Sequence, residues 1–515
     1  MKISRTIGFS AGLLATSSIA SYALGLIRDR LLAGKFGAGA ELDVFSASFI
    51  IPDAIMSVFA AALTTAFVPV FTSWWHKQGE KATWELTNRI LYLIGLLIIT
   101  ATVIAWLLMP WLAQLVAPGF DETRHDLLTS TTRLMLFSPL FFSVSVLFGS
   151  ALQGLRRFIS YALSPVLYNF GIVFGIVFLT PRYGITGAIM GVVIGAALHM
   201  IIRIIELWQA GWLWERFSIT KPWPWQHPGI KKTVKLMLPR IVGLLTWQAN
   251  LWMFTAIASG LAVGSVAIFN MARNFQSLPV SLFGIALATA LFPAISIHYA
   301  KGNIDKFRDD IVKAIKQVLF FTIPAGAGLA LIAKPLIDAF LGTGKFSNVA
   351  VVATGMTLTI FSLSIPLESL QHIFARTFYA QHDTITPVKV TIFATIINVI
   401  VSFTAVKFLG VSGLAMGFVA FALTQVIVLG WLLRKRIKTI NEKVIIKSIG
   451  KTILATGFMI IAILTIQSYL EHSLTILIAS VSIGGLVFIM ASLILRNEEL
   501  ISSFGLVKKI IKLQK

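Results

Sequence analysis

Long apolar runs, separated by short polar and charged segments, recur from one end of this chain to the other. Many extend over roughly 18–25 residues, enough for a helix rising 1.5 Å per residue to cross a hydrocarbon core of about 30 Å. They predict about fourteen spanning helices, near 7–27, 44–74, 90–116, 127–153, 160–180, 185–207, 236–258, 264–297, 317–341, 349–378, 388–408, 411–433, 452–469 and 473–495. A membrane β-barrel is excluded, because its strands alternate apolar and polar positions over about ten residues, whereas these runs are continuous. The pattern predicts an all-α polytopic membrane protein.

The polar segments carry the orientation. Basic residues gather in alternate loops: Lys2/Arg5, Lys77/Lys81/Arg89, Arg156/Arg157, Arg216 to Lys235, Lys301 to Lys316, Arg376/Lys389, Arg434 to Lys451 and the tail. Under the positive-inside rule these loops are cytoplasmic, so both termini are expected inside a cytoplasmic (inner) membrane. The first apolar stretch has the look of a signal peptide ending near Ala23. It is long enough to span, and the loop charges need it for parity, so it reads as a retained first helix.

The chain repeats itself. A-L-T-T-A-F-V-P at Ala62–Pro69 returns as A-L-A-T-A-L-F-P at Ala286–Pro293, and G-I-T-G-A-I-M-G at Gly184–Gly191 as G-V-S-G-L-A-M-G at Gly410–Gly417. Ser164-Pro165 and Thr386-Pro387 occupy matching places. The offsets agree at about 222–226 residues, and an even number of helices separates the copies. Two parallel-repeat six-helix lobes follow, with a site expected between them. The expected layout is lobe one over 1–215, a cytoplasmic linker over 216–235, lobe two over 236–435, two additional spans over 436–495, and a basic amphipathic cytoplasmic tail over 496–515. In that tail Phe504, Val507, Ile510 and Ile511 would face lipid while Lys508, Lys509, Lys512 and Lys515 face headgroups. A solvated, frayed terminus is the alternative.

Composition agrees with the pattern. The chain is 57% apolar and 12% charged, against about 25% charged in soluble proteins, and its mean hydropathy is +0.85. A net charge of +22 would suggest nucleic acid in a soluble protein, but here the loops account for it, and no nucleic-acid partner is expected. The absence of cysteine rules out disulfides, thiolate metal sites and cysteine nucleophiles. No P-loop, G-x-S-x-G, H-E-x-x-H or kinase signature occurs, so no enzyme, metal or cofactor chemistry is expected. His199 and His372 lie in or near spans and read first as packed polar residues.

What remains is charge inside the membrane-spanning pattern, where each ionised group costs about 2.5–3.5 kcal/mol at a helix centre. Gly25–Asp43 concentrates Arg28, Asp29, Arg30, Lys35, Glu41 and Asp43 between two apolar runs. It reads either as a polar turn or as a charged patch at a substrate cavity. Arg240 begins span seven, and Arg273-Asn274 interrupts span eight just before Gln276. Span eight is the repeat counterpart of span two. Arginine's planar fork binds phosphate oxygens bidentately and stays protonated when desolvated, so an anionic, phosphate-bearing ligand is expected. The other reading is that Arg28–Asp29 and Arg273 form ion pairs that latch the lobes, and the two readings are compatible; Arg203 and Arg240 can also snorkel to the inner headgroups. Pro52, Pro69, Pro165, Pro279, Pro293 and Pro387 sit in or at the ends of spans, where they can bend helices.

R-D-R-L-L-A-G-K-F-G-A-G-A-E-L-D-V-F, followed by I-P-D and A-F-V-P-V-F, resembles the start of the MurJ (MviN) lipid II flippase family, within the MOP flippase and exporter superfamily. So do L-Q-G-L-R-R-F, S-P-V-L-Y-N, L-P-V-S-L-F-G-I-A-L-A-T-A-L-F-P and Y-A-Q-H-D-T-I-T-P-V, over nearly the whole chain. The resemblance implies two six-helix lobes around a cationic cavity, a groove for a polyprenyl tail formed by the last two helices, and export of lipid II by alternating access. Arg28 and Asp43 match a family cavity arginine and aspartate. Tyr22, Met56 and Ser57 stand where the family has arginines, and Ala61 where it has glutamate. On span eight the arginine is Arg273, with Asn274 at its usual place. The expected site is thus Arg28, Asp43, Arg273 and Asn274, with Asp29, Arg30, Lys35, Arg240 and Gln276 as secondary candidates and no metal. The leading function is a flippase for a lipid-linked pyrophosphate glycan, most simply lipid II, driven by sodium, protons or the membrane potential. The alternatives are a transport-inactive scaffold for cell-wall synthesis proteins and a cation-coupled small-molecule exporter. Expected partners are the lipid-linked glycan, membrane lipids and cell-wall synthesis proteins.

Overall fold

A computed structural model describes residues 2–212, 227–437 and 441–500, and within these the side chains of 2–12, 14–15, 60–62, 65, 239–240 and 242 are excepted. The expected tail beyond 500 and linker residues 216–226 lie outside the described residues. All regular structure among the described residues is helical. The chain divides into two compact units, Met1–Val266 and Ala267–Lys515.

In unit one, α1 (Lys2–Phe36), α2 (Ala40–Ala47) and α3 (Ile50–Met56) lead through a π-turn at Ser57–Ala61 into α4 (Ala62–Val116). α4 is two helices in series, since Gly79 turns with φ 82° and ψ 177°, a conformation that favours glycine. Then come α5 (Glu122–Met135), α6 (Phe137–Gly154), α7 (Ile159–Phe174), a π-turn at Gly175–Leu179, α8 (Thr180–Tyr183), α9 (Ile185–Gln209) and α10 (Pro228–Ser259). Asp121 accepts from the Arg124 N–H at 2.9 Å at the head of α5. Phe67, Phe71, Trp84, Phe148 and Trp212 fill the core that joins α4, α6 and α9. α10 packs on α4, so span seven belongs to this compact unit.

Unit two holds α11 (Ser265–Pro279) almost entirely, a π-turn at Val280–Ile285, α12 (Ala286–Ala300), α13 (Ile304–Leu341), α14 (Asn348–Ser362) and α15 (Ser364–Ala380). It continues with α16 (Ile385–Leu409), α17 (Ser412–Ile437), α18 (Glu442–Tyr469) and α19 (Ser473–Ile494). The last two helices pack on α13 through Phe320, Met459, Ile463 and Phe488.

Among the described residues 11 helices are long and apolar enough to cross a membrane, and up to 13 if two bent pairs each count as one span. One such pair is α14 with α15, bent by 41°. The expected figure of about fourteen is met only by adding α1, which that count does not include.

The repeat is written into the backbone of each unit. The loop after α6 and the loop after α15 both turn through a residue with positive φ, Arg156 at 58° and His382 at 59°. Both close with the same bonds: Arg157 N–H to Leu152 O at 2.9 Å, and Asp383 N–H to Phe378 O at 3.0 Å. Gly184 and Gly410 form the next matched pair, with φ of 56° and 55°. The π-turns at Ser57–Ala61 and Val280–Ile285 fall at corresponding points of spans two and eight. A π-turn leaves the helical pairing locally irregular, which is tolerated at membrane depth only where neighbours satisfy the backbone.

Candidate functional site

Arg28 lies in the C-terminal half of α1. Its Nε donates to Asp29 Oδ1 at 2.9 Å and its Nη2 approaches the same oxygen at 2.8 Å. Nη1 donates to Asn169 Oδ1 on α7 at 3.3 Å. Asn169 Nδ2 in turn donates to Ser21 Oγ at 3.0 Å and to Pro165 O at 3.1 Å. Asp29 is buried, whereas the Arg28 side chain keeps 23% of its surface open. One carboxylate and one amide therefore orient a cation without enclosing it. This is an arrangement that can accept an anion at the open face.

The other charges of that stretch do different work. Lys35 donates to the carbonyl of Ile176, inside the π-turn of α7, where the helical ladder is irregular. Asp43 is 1% exposed and its Oδ2 accepts from the backbone N–H of Gly264 at 2.7 Å. Gly264 has φ 95°, and a Cβ there would sit 2.2 Å from the carbonyl oxygen of Ala38, so glycine is required. Nearby, Gly119 N–H donates to Ser259 Oγ at 3.0 Å, and Trp252 Nε1 donates to Leu115 O at 2.7 Å. The C-terminal end of α10 and the loop after it are thereby tied to α2 and to the end of α4. Further along, Gln248 Nε2 donates to Ser57 Oγ at 2.6 Å, in the first π-turn. Arg30 is exposed. The Arg240 side chain lies outside those described.

In unit two, Gln276 is 2% exposed, and its Nε2 donates to Glu368 Oε2 at 2.9 Å and to Ser364 Oγ at 3.0 Å. Arg273 acts electrostatically on the same Glu368 carboxylate. Asn274 is exposed, and its carbonyl accepts from Ser277 Oγ at 2.8 Å. Arg273 and Gln276 thus converge on an acid that sequence reasoning missed, although a lone glutamate within an apolar span was a readable signal. Asn169 and Ser21 were missed as well. Asn169 stands within the S-P-V-L-Y-N motif, but nothing in its spacing connects it to α1.

The snorkelling expected of Arg203 is corrected. It is 6% exposed, donating from Nε to Ser164 Oγ at 3.0 Å and from Nη1 to Ser145 O at 2.9 Å. Polar groups from α6 and α7 pull it inward, so it ties helices together instead of reaching headgroups. His199 is packed as expected, its Nδ1 2.7 Å from Ser145 Oγ.

A family model described as lipid II flippase MurJ matches residues 32–483. A probable lipid II flippase MurJ of Haemophilus influenzae is 30% identical over 410 residues, covering 76% of this chain and 79% of that protein. One from Vibrio cholerae is 30% identical over 431 residues, covering 80% of each. The fold is similar to a solved lipid II flippase MurJ in an inward closed conformation, with a TM-score of 0.79 and 23% identity, over 94% of this chain and 99% of that one. It is also similar to an inward-facing multidrug resistance MATE family transporter of the MOP superfamily, with a TM-score of 0.69 and 17% identity over 82% and 95%. The sequence matches, spanning most of the chain, show that it belongs to the MurJ lipid II flippase family.

Proposed function

We propose that this chain carries lipid II from the inner to the outer leaflet by alternating access. The observation that supports the headgroup role is Arg28, fixed by Asp29 and Asn169 and partly exposed. A guanidinium held in this way can take two oxygens of a pyrophosphate without losing its own support. In unit two, Arg273 and Asn274 are assigned to binding an anionic group, with Gln276 and Glu368 as their support. Asp43 is assigned to an outer closure, because its carboxylate is spent on Gly264.

The layout of two lobes over 1–215 and 236–435, a linker over 216–235, two added helices over 436–495 and a basic tail over 496–515 is part of this reading. So is an inner-membrane location with both termini cytoplasmic, which the distribution of lysine and arginine supports. Cell-wall synthesis proteins are the assigned protein partners. Among the described residues no group of three or more His, Asp or Glu could hold a metal ion. The drive is sodium, protons or the membrane potential, the last supplying about 2.3 kcal/mol per charge per 100 mV.

The test is depletion in the host, followed by measurement of lipid II accessible at the outer surface. Loss of outward lipid II, restored by the intact chain but not by an equally abundant Arg28→Ala variant, is expected. Normal outward display after depletion sinks the reading.

A further inference from the structure

Unit one carries a groove of about 240 Å³ between α1 and α7, lined by Ser17, Ser18, Ser21, Tyr22 and Tyr161 together with Ala162 and Pro165. No charged side chain lines it. Tyr22 is 47% and Tyr161 41% exposed, and the Arg203 guanidinium lies 5.3 Å from the Tyr161 ring centre. The groove is wired to the cation described above. Ser21 Oγ accepts from Asn169 Nδ2, and Asn169 Oδ1 accepts from Arg28 Nη1. The rise from Tyr22 to Arg28 along α1 is about 9 Å at 1.5 Å per residue.

We propose that this groove is a subsite for a neutral sugar ring of the headgroup whose phosphates lie at Arg28. The proposal rests on the flippase reading and adds a specificity element to it. Hydroxyls both donate and accept, as sugar hydroxyls and acetamido groups do. Aromatic rings offer apolar faces with a polar handle, which suits a ring having an apolar C–H face and a polar rim. An acyl chain would favour a lining without hydroxyls, and an amine would call for a carboxylate, which the lining lacks. The volume is below that of pockets for drug-sized ligands, at about 300–1,000 Å³, so it fits one ring and not a whole glycan. The bonded chain Ser21–Asn169–Arg28 links the groove to the guanidinium.

The experiment uses the full chain in detergent and two probes, lipid II and a polyprenyl pyrophosphate without sugar, with binding read by native mass spectrometry. The variants are Tyr22→Phe with Tyr161→Phe, which remove hydroxyls while keeping the rings, and Tyr22→Ala. The intact chain is expected to prefer lipid II, and the variants to lose about tenfold in affinity for it while binding the sugar-free lipid unchanged. The sugar-free lipid also reports that the variants are folded. If the intact chain prefers lipid II and the variants keep that preference, the groove assignment falls and the flippase reading stands. Equal binding of both lipids by the intact chain, or equal weakening of both by the variants, also overturns the groove. If the intact chain binds neither lipid, the flippase reading falls and takes the subsite with it.

Discussion

Asp43 and the backbone N–H of Gly264 are joined by a 2.7 Å charge-assisted hydrogen bond in a buried setting. The donor is main chain, so no side-chain change at the partner can replace it. Bonds of this kind contribute about 1.5–3 kcal/mol. Asp43→Ala is expected to loosen the loop that follows α10, with Asp43→Asn weaker in the same direction. Because the chain has no cysteine, Ala38→Cys gives a single reporter beside Gly264. An impermeant maleimide should label it faster when Asp43→Ala is added, and unchanged labelling would count against the closure role.

Glu368 accepts from Gln276. Glu368→Gln retains an oxygen for that bond, while Glu368→Ala leaves the buried Gln276 amide short of a partner, at about 1–3 kcal/mol. The alanine variant should therefore melt at a clearly lower temperature than the glutamine variant. Equal melting temperatures would show that the bond contributes little.

Close helix approach makes some glycines intolerant. A Cβ on Gly171 would lie 2.4 Å from the Cα of Gly195, whereas one on Gly457 would meet nothing within 4 Å. Gly171→Leu is expected to cost about 1–3 kcal/mol or more through overpacking, and Gly457→Ala to be tolerated. Thermal unfolding in detergent distinguishes the two.

Asp383, in the loop before α16, accepts from the backbone N–H groups of Ile385 and Thr386, from the Thr386 hydroxyl and from Arg436. Burial pushes its carboxyl up, but the bonds from Thr386 and Arg436 outweigh that and hold it at about 2, below the ordinary 3.8. A lowered folded-state value stabilises above the unfolded value and stops doing so as pH falls through the folded one. Asparagine keeps one oxygen acceptor at this position, so Asp383→Asn removes the charge and leaves the helix-start bond available. The stability gap between the intact chain and Asp383→Asn should be full at pH 7 and shrink from pH 4 toward pH 2. A gap independent of pH would exclude the carboxylate as its source.

Lys35 donates to Ile176 O in the α7 π-turn. Lys35→Met is expected to raise amide exchange across Gly175–Leu179 while leaving the start of α7 protected. Uniform exchange change along α7 would argue against a local role.

The sequence by itself determined the helical membrane class and the repeat. Each rests on local quantities: run length and recurring motifs. The repeat was legible down to Gly184 and Gly410, whose shared positive φ demands the same residue twice. Partner choice was not legible, because it depends on groups far apart in the chain. The stretch Gly25–Asp43 reads as one charged patch, yet packing sends its members to different ends. Arg28 goes to Asn169, Lys35 to Ile176 and Asp43 to Gly264. Likewise the tertiary structure decided that Arg273 and Gln276 share Glu368, and that Arg203 turns inward. A buried charge takes whichever polar group the neighbouring helix presents at its depth, and helix neighbours are chosen by side-chain fit that apolar periodicity does not encode.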